Sequence, residues 1–119
     1  MSHDTSKLIA EQNDRFRSNF GILPRGDNLI RGKYMLSQGL SCLPFEELDT
    51  IITKVRNFKN FNQSNDPYGE HDFGKFSDNV HDILWKIDYY DINYEYGSPE
   101  PSDPAKTRRV LTVMLSFEY

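Results

Sequence analysis

Apolar positions fall into patterned stretches separated by polar breaks that carry glycine and proline. Leu8, Ile9, Phe16 and Phe20 form a loose stripe at helical spacing over residues 4–20. Asp4 or Thr5 stands in capping position, and Gly21 suits a left-handed stop. Pro24 and Gly26 mark a connection over 21–28. Ile30, Tyr34 and Leu36 then share one face of a strand predicted over 29–36. After a break bounded by Gly39 and Pro44, the residues Phe45, Leu48, Ile51, Ile52, Val55 and Phe58 make the apolar face of a second helix. Pro44 sits in its first turn, with Glu46, Glu47 and Asp49 at the positive end of its dipole and Lys54, Arg56 and Lys59 at the negative end.

The second half reads differently. Residues 60–72 are rich in Asn, Asp, Gly and Pro and predict an ordered loop. Phe73 to Phe76 predicts a short strand that turns at Ser77-Asp78-Asn79. Ile83, Trp85, Ile87 and Tyr89 alternate with Leu84, Lys86, Asp88 and Tyr90, the period of a strand. Residues 107–119 fit a helix through Val110, Val113, Met114 and Phe117, or a strand through Leu111, Val113, Leu115 and Phe117. Their Val and Thr content favours the strand. The expected architecture is a single α+β domain over 1–119, with two helices packed on one face of a mainly antiparallel sheet of about four strands.

Length and composition agree with this. A chain of 119 residues with 37% hydrophobic content can bury a core without cross-links. Cys42 is the only cysteine, which excludes an intrachain disulfide, and its apolar setting predicts a small buried residue. No apolar run nears the roughly 20 residues of a membrane span, and the polar N-terminus lacks a signal-peptide core. A cytoplasmic protein with no membrane partner is expected.

Charge changes the picture more. The net charge of −4 conceals a segment, residues 64–104, with ten acids against two bases, while both flanks are mildly basic. Such a block repels a nucleic-acid backbone and attracts a basic partner or a cation. Direct nucleic-acid binding is therefore not expected. Lys106, Arg108 and Arg109 are read as neutralising this block, and Arg15 as pairing with it.

Chemistry-bearing residues concentrate between 65 and 91, in NDPYGEHDFGKF and WKIDYYD. Asp66, Glu70, His71 and His81 are oxygen and imidazole donors of the kind that hold Mn, Fe or Zn. Adjacent residues of an extended loop point in alternating directions, however, and no HExxH, CxxC or EF-hand pattern is present. The structural alternative gives Asp72 or His71 the task of satisfying backbone donors in a loop folded over the sheet. Asp88 and Lys86 share a strand face that Glu70 or His71 can approach, as acid–base chemistry requires. No GxSxG, phosphate-binding glycine loop or Rossmann fingerprint accompanies them, and no cofactor is expected.

The chain resembles a bacterial family known as domain of unknown function 3768. The resemblance rests on Asn13-Asp14-Arg15, NDPYGEHDFG at 65–74, WKIDYYD at 85–91, GSPEPSDP at 97–104 and TRRVLTVMLSFEY at 107–119. It implies no activity. It does imply a setting among plasmids and other mobile elements, often beside anti-restriction genes.

Together these readings predict a small acidic protein-binding module, an anti-restriction or anti-defence inhibitor with a DNA-mimicking surface. Its partner would be a protein with a basic or nucleic-acid-binding surface. The expected contact residues are Glu70, Asp72, Asp88, Tyr90, Asp91, Tyr94 and Glu95, in which rigid tyrosines alternate with carboxylates. The alternative is a metal-dependent hydrolase using Asp66, Glu70, His71 and His81. A homodimer built by edge pairing of the last strand is compatible with either.

Overall fold

In the computed structural model, which describes residues 3–21, 30–78 and 80–119, helix α1 spans His3–Ser18. It ends where Phe20 N donates to the Arg17 carbonyl and Gly21 takes φ +76°, as the stop glycine predicted. Ile9, Phe16 and Phe20 are buried, while Leu8 is 45% exposed and belongs to the outer face. The predicted 22–28 connection and Leu29 lie outside the described residues.

Strand β1 (Gly32–Leu36) is followed by a short helix α2 (Gln38–Ser41) that the sequence pattern did not reveal. One turn is too short to show a period. It forms because the Ser37 side chain accepts the Leu40 N–H and Leu40 is completely buried. Cys42, expected inside, caps this turn and is exposed. Helix α3 (Phe45–Arg56) buries Ile51 and Val55, but Phe45 is 80% exposed, so its apolar stripe begins at Leu48.

Strands β2 (Phe73–Ser77), β3 (Asp82–Tyr90) and β4 (Arg108–Leu115) complete one sheet in the order β1-β4-β3-β2. A 3-10 turn, Ser116–Glu118, ends the chain. β2–β3 and β3–β4 are antiparallel, whereas β1–β4 is parallel. The class is α+β as expected, but with three α-helices among the described residues and a mixed sheet. Periodicity reports which face a residue occupies and says nothing of strand direction. The edge-paired homodimer is corrected as well: β4 lies inside the sheet between β1 and β3, so neither of its edges is open.

Register sorts the side chains. Tyr34, Leu111, Val113, Ile83, Trp85 and Ile87 face α1 and α3 in one core, with Tyr34 stacked on Phe16 at 4.5 Å. The reverse face carries Lys33, Met35, Val110, Lys86, Asp88 and Tyr90. No helix among the described residues is long and apolar enough to cross a membrane.

Candidate functional site

The β2–β3 hairpin sets the geometry. Phe73 pairs with Lys86, and Ile87 N donates to the Asp72 carbonyl at 2.8 Å, so the 65–72 loop lies beside the end of β3. The loop closes on Asp66, a buried carboxylate whose Oδ1 accepts the N–H groups of Glu70 (3.0 Å) and His71 (3.2 Å). The sequence reading gave this duty to Asp72 or His71. His71 and Gly69 adopt φ +56° and +70°, and for His71 that conformation is strained.

Beneath the loop lies a polar network that sequence reasoning missed. Asn13 Nδ2 donates to the Glu70 carbonyl (2.9 Å) and to the Tyr89 hydroxyl (2.8 Å). Tyr89 in turn donates to Glu70 Oε1 at 3.0 Å. Arg109 donates through Nε to Asn13 Oδ1 (2.6 Å), and through Nη2 to Gln12 Oε1 and the Pro101 carbonyl, both at 3.0 Å. Burial pushes the Tyr89 phenol well above its ordinary range, and the nearby Asp72 and Glu70 carboxylates add to this against the Asn13 hydrogen bond. Tyr89 therefore stays a donor. Burial also lowers the Arg109 pKa, opposed by Tyr89 and Glu70, and its Nη1 has no hydrogen-bond partner.

A second constellation borders the first. His71 Nδ1 donates to the Asp14 carboxylate, 2.9 and 3.0 Å from its two oxygens. The imidazole stacks flat on Phe61, with ring centroids 3.9 Å apart, and its Nε2 is 3.8 Å from Asp66. Arg17 is buried; it donates to the carbonyls of Val55 and Phe58, and to Asp14 at 3.2 Å.

This geometry separates the hydrolase set. Asp66 and His71 are neighbours, but Glu70 turns its carboxylate to Tyr89. His81 sits at the other end of the hairpin, its N–H on Asp78, across five strand pairs or roughly 16 Å. Among the described residues no group of three or more His, Cys, Asp or Glu side chains is arranged to hold a metal ion.

The contact set divides too. Glu70 is buried in the network, and Asp72 is half-buried behind it. Burial, then the charges of Glu70, Asp66 and Asp88, push the Asp72 carboxyl up to about 6. Asp88, Tyr90, Asp91, Tyr94 and Glu95 do share one region, the end of β3 and the loop after it. That loop is fixed from within. Asp91 Oδ1 accepts the N–H groups of Asn93 and Glu95, Asp91 N donates to the Tyr96 carbonyl, and Ser98 N donates to the Tyr89 carbonyl. Tyr94 takes φ +59°, its ring 6.5 Å from that of Tyr90 and capped at 4.1 Å by Lys33 Nζ. Ile92 and Tyr96 are left 54% and 73% exposed.

A family model described as a protein of unknown function (DUF3768) matches residues 36–118. The chain belongs to this family. No curated protein and no solved structure matches it. The DUF3768 match takes in Glu70, His71, Tyr89 and Arg109, while their partners Gln12, Asn13 and Asp14 precede it on α1.

The acid-rich segment of this family member is largely committed to its own backbone and side chains. Asp66, Asp78, Asp91 and Asp103 accept backbone N–H groups in turns. Glu70 accepts from Tyr89 and Asp82 from Ser77, while Asp88 pairs with Lys86 and Glu100 with Lys106. Eight of the ten acids thus have an internal role, which explains much of the charge run as turn chemistry. Lys106 neutralises the block as read from sequence, but Arg109 turns inward and Arg108 donates to the Thr107 carbonyl. The only sequence signal for the buried network was the Asn13-Asp14-Arg15 trio, whose partners no spacing could name.

Proposed function

We propose that the protein is a non-enzymatic protein-binding module that contacts its partner through the 91–97 loop and the adjoining end of β3. The observation that carries this reading is a loop fixed by its own hydrogen bonds that nevertheless displays Ile92 and Tyr96 to solvent. An ordered loop loses little entropy on binding, and exposed aromatic and aliphatic side chains supply the contact area. Glu95 is exposed beside them, and Asp88 and Asp91 share the same end of β3. Their charge favours a partner with a basic surface, and a protein that binds nucleic acid offers one. Inhibition of such a protein, in an anti-restriction or other anti-defence role, is the form of the function we propose.

The test compares capture by the wild-type protein with capture by Ile92→Ser, Tyr96→Ser and Glu95→Lys variants whose melting temperatures match it. A partner retained by the wild type and lost from all three is the expected result. A partner retained equally by all four proteins would place the contact elsewhere and sink the reading.

A further inference from the structure

We propose that two copies of this chain pair about a two-fold axis, the Phe117 ring of each entering the cleft beside the 3-10 turn of the other. That cleft lies at the start of β3, encloses about 330 Å³ and is lined by Lys75, Phe76, Ser77, Asp82 and Ser116. Such a volume takes one aromatic side chain, and the residue that follows the Ser116 wall supplies one. Phe117 is 85% exposed, and Tyr119 beyond it 79%. The turn that carries Phe117 is fixed nevertheless. The Glu118 carboxylate accepts the Ser37 hydroxyl at 2.5 Å, the Leu115 N–H at 2.9 Å and the Gly39 N–H at 3.0 Å. A ring held outward by an ordered turn loses little entropy when a partner buries it. Ring and cleft are adjacent on one surface, as an isologous contact requires, because each copy gives there what it receives.

Charge makes a second copy the fitting occupant. Lys75 pairs with Leu84 and Ser77 with Asp82, so Lys75 and Asp82 share the sheet face turned away from α1 and α3. Both are exposed, and among the described residues neither belongs to an ion pair; Asp82 accepts the neutral Ser77 hydroxyl. A surface that sets an unanswered cation beside an unanswered carboxylate complements itself. Across the axis, Lys75 of each copy meets Asp82 of the other. A partner of one charge sign would repel one of the two. The contact is small, which places the dimer among weak, reversible associations. It lies at the opposite end of β3 from the 91–97 loop, roughly 26 Å along the strand, so it stands apart from what that loop binds.

Sedimentation equilibrium from about 10 μM to about 1 mM protein tests this. A reversible dimer is expected, weakened about tenfold or more by Phe117→Ser at an unchanged melting temperature. Lys75→Glu and Asp82→Lys should each weaken it to a similar extent, because each sets like charges against one another across the axis. An equimolar mixture of these two variants should recover the dimer. In the mixed pair each changed position faces the other changed position, and each native residue its native counterpart. Should Asp82→Lys fail to fold, Phe117→Ser and Lys75→Glu, both at exposed positions, supply the comparison with wild type. A monomer at about 1 mM, a dimer as tight in Phe117→Ser as in wild type, or a mixture of folded charge variants no tighter than either alone would each overturn the proposal.

Discussion

Asn13 and Arg109, 96 residues apart in the chain and both fully buried, are joined by a 2.6 Å hydrogen bond. Through it α1 is tied to β4, and through the other end of the Asn13 amide α1 is tied to the 65–72 loop. Arg109 donates to a side-chain amide oxygen on each of Asn13 and Gln12 and to the Pro101 carbonyl, so its charge is met among the described residues by neutral acceptors. Removing one partner strands the other. Asn13→Leu should cost about 2–4 kcal/mol in urea unfolding, because it leaves a buried cation short of an acceptor. Adding Arg109→Met removes that cation, so the double variant should be less destabilised than the sum of the singles by about 1–3 kcal/mol. Strict additivity would show that the pair is not coupled.

That bond also marks the limit of what the chain discloses by itself. The alternation of Ile83, Trp85, Ile87 and Tyr89 gave β3 its faces correctly, and Ile51 and Val55 marked the buried side of α3. Both are local periodicities. The parallel pairing of β1 with β4 joins Gly32 to Arg109 across α2, α3, β2 and β3, and no local pattern encodes it. The candidate site divides along the same line. The Asp91 turn could be read as a loop, but the joining of Asp14 to His71 and of Asn13 to Arg109 depends on tertiary packing. The acidic run is open to two readings for a related reason, since carboxylates that cap turns look the same in sequence as carboxylates that face a partner.

Gly74 lies against Trp85 in the β2–β3 pair. A Cβ there would stand 2.5 Å from Trp85 Nε1 and 2.8 Å from Phe58 Cε1. Trp85 is completely buried and cannot move aside without disturbing Arg17 above it. Gly74→Ala is therefore expected to destabilise the fold by about 1–3 kcal/mol and to shift the Trp85 emission. A melting temperature within error of wild type would mean that the strand yields locally.

Asp72 gives the stability a pH dependence of its own. Its folded pKa is raised from 3.8 to about 6, so between those values the folded state keeps a proton that the unfolded chain has released. The stabilisation this gives is fully present below the unfolded pKa and is lost as pH rises through the folded one. Asp72→Asn keeps the shape without the charge. Relative to wild type, the variant should gain stability on going from about pH 4 to about pH 7, by about 1 kcal/mol once solvent screening of this half-buried group is allowed for. A difference that stays flat over that range would show that Asp72 ionises as freely in the fold as outside it.

Asp91 and Glu95 require different variants, because the structure gives them different work. Asp91 Oδ1 holds the N–H groups of Asn93 and Glu95, so a lysine there would break the loop as well as reverse a charge. Asp91→Asn keeps an oxygen acceptor at that position and removes only the charge, whereas Asp91→Ala removes both. Glu95 is exposed, so Glu95→Lys tests charge alone. If loop order carries partner binding, Asp91→Ala should weaken capture about tenfold or more and speed amide exchange at Asn93 and Glu95, while Asp91→Asn leaves both near wild type. If charge carries it, Asp91→Asn and Glu95→Lys should both weaken capture, and the loss should shrink at high salt. Capture unaffected by all three variants would remove the 91–97 loop from the contact and leave the grooves beside α1 as the surface to examine.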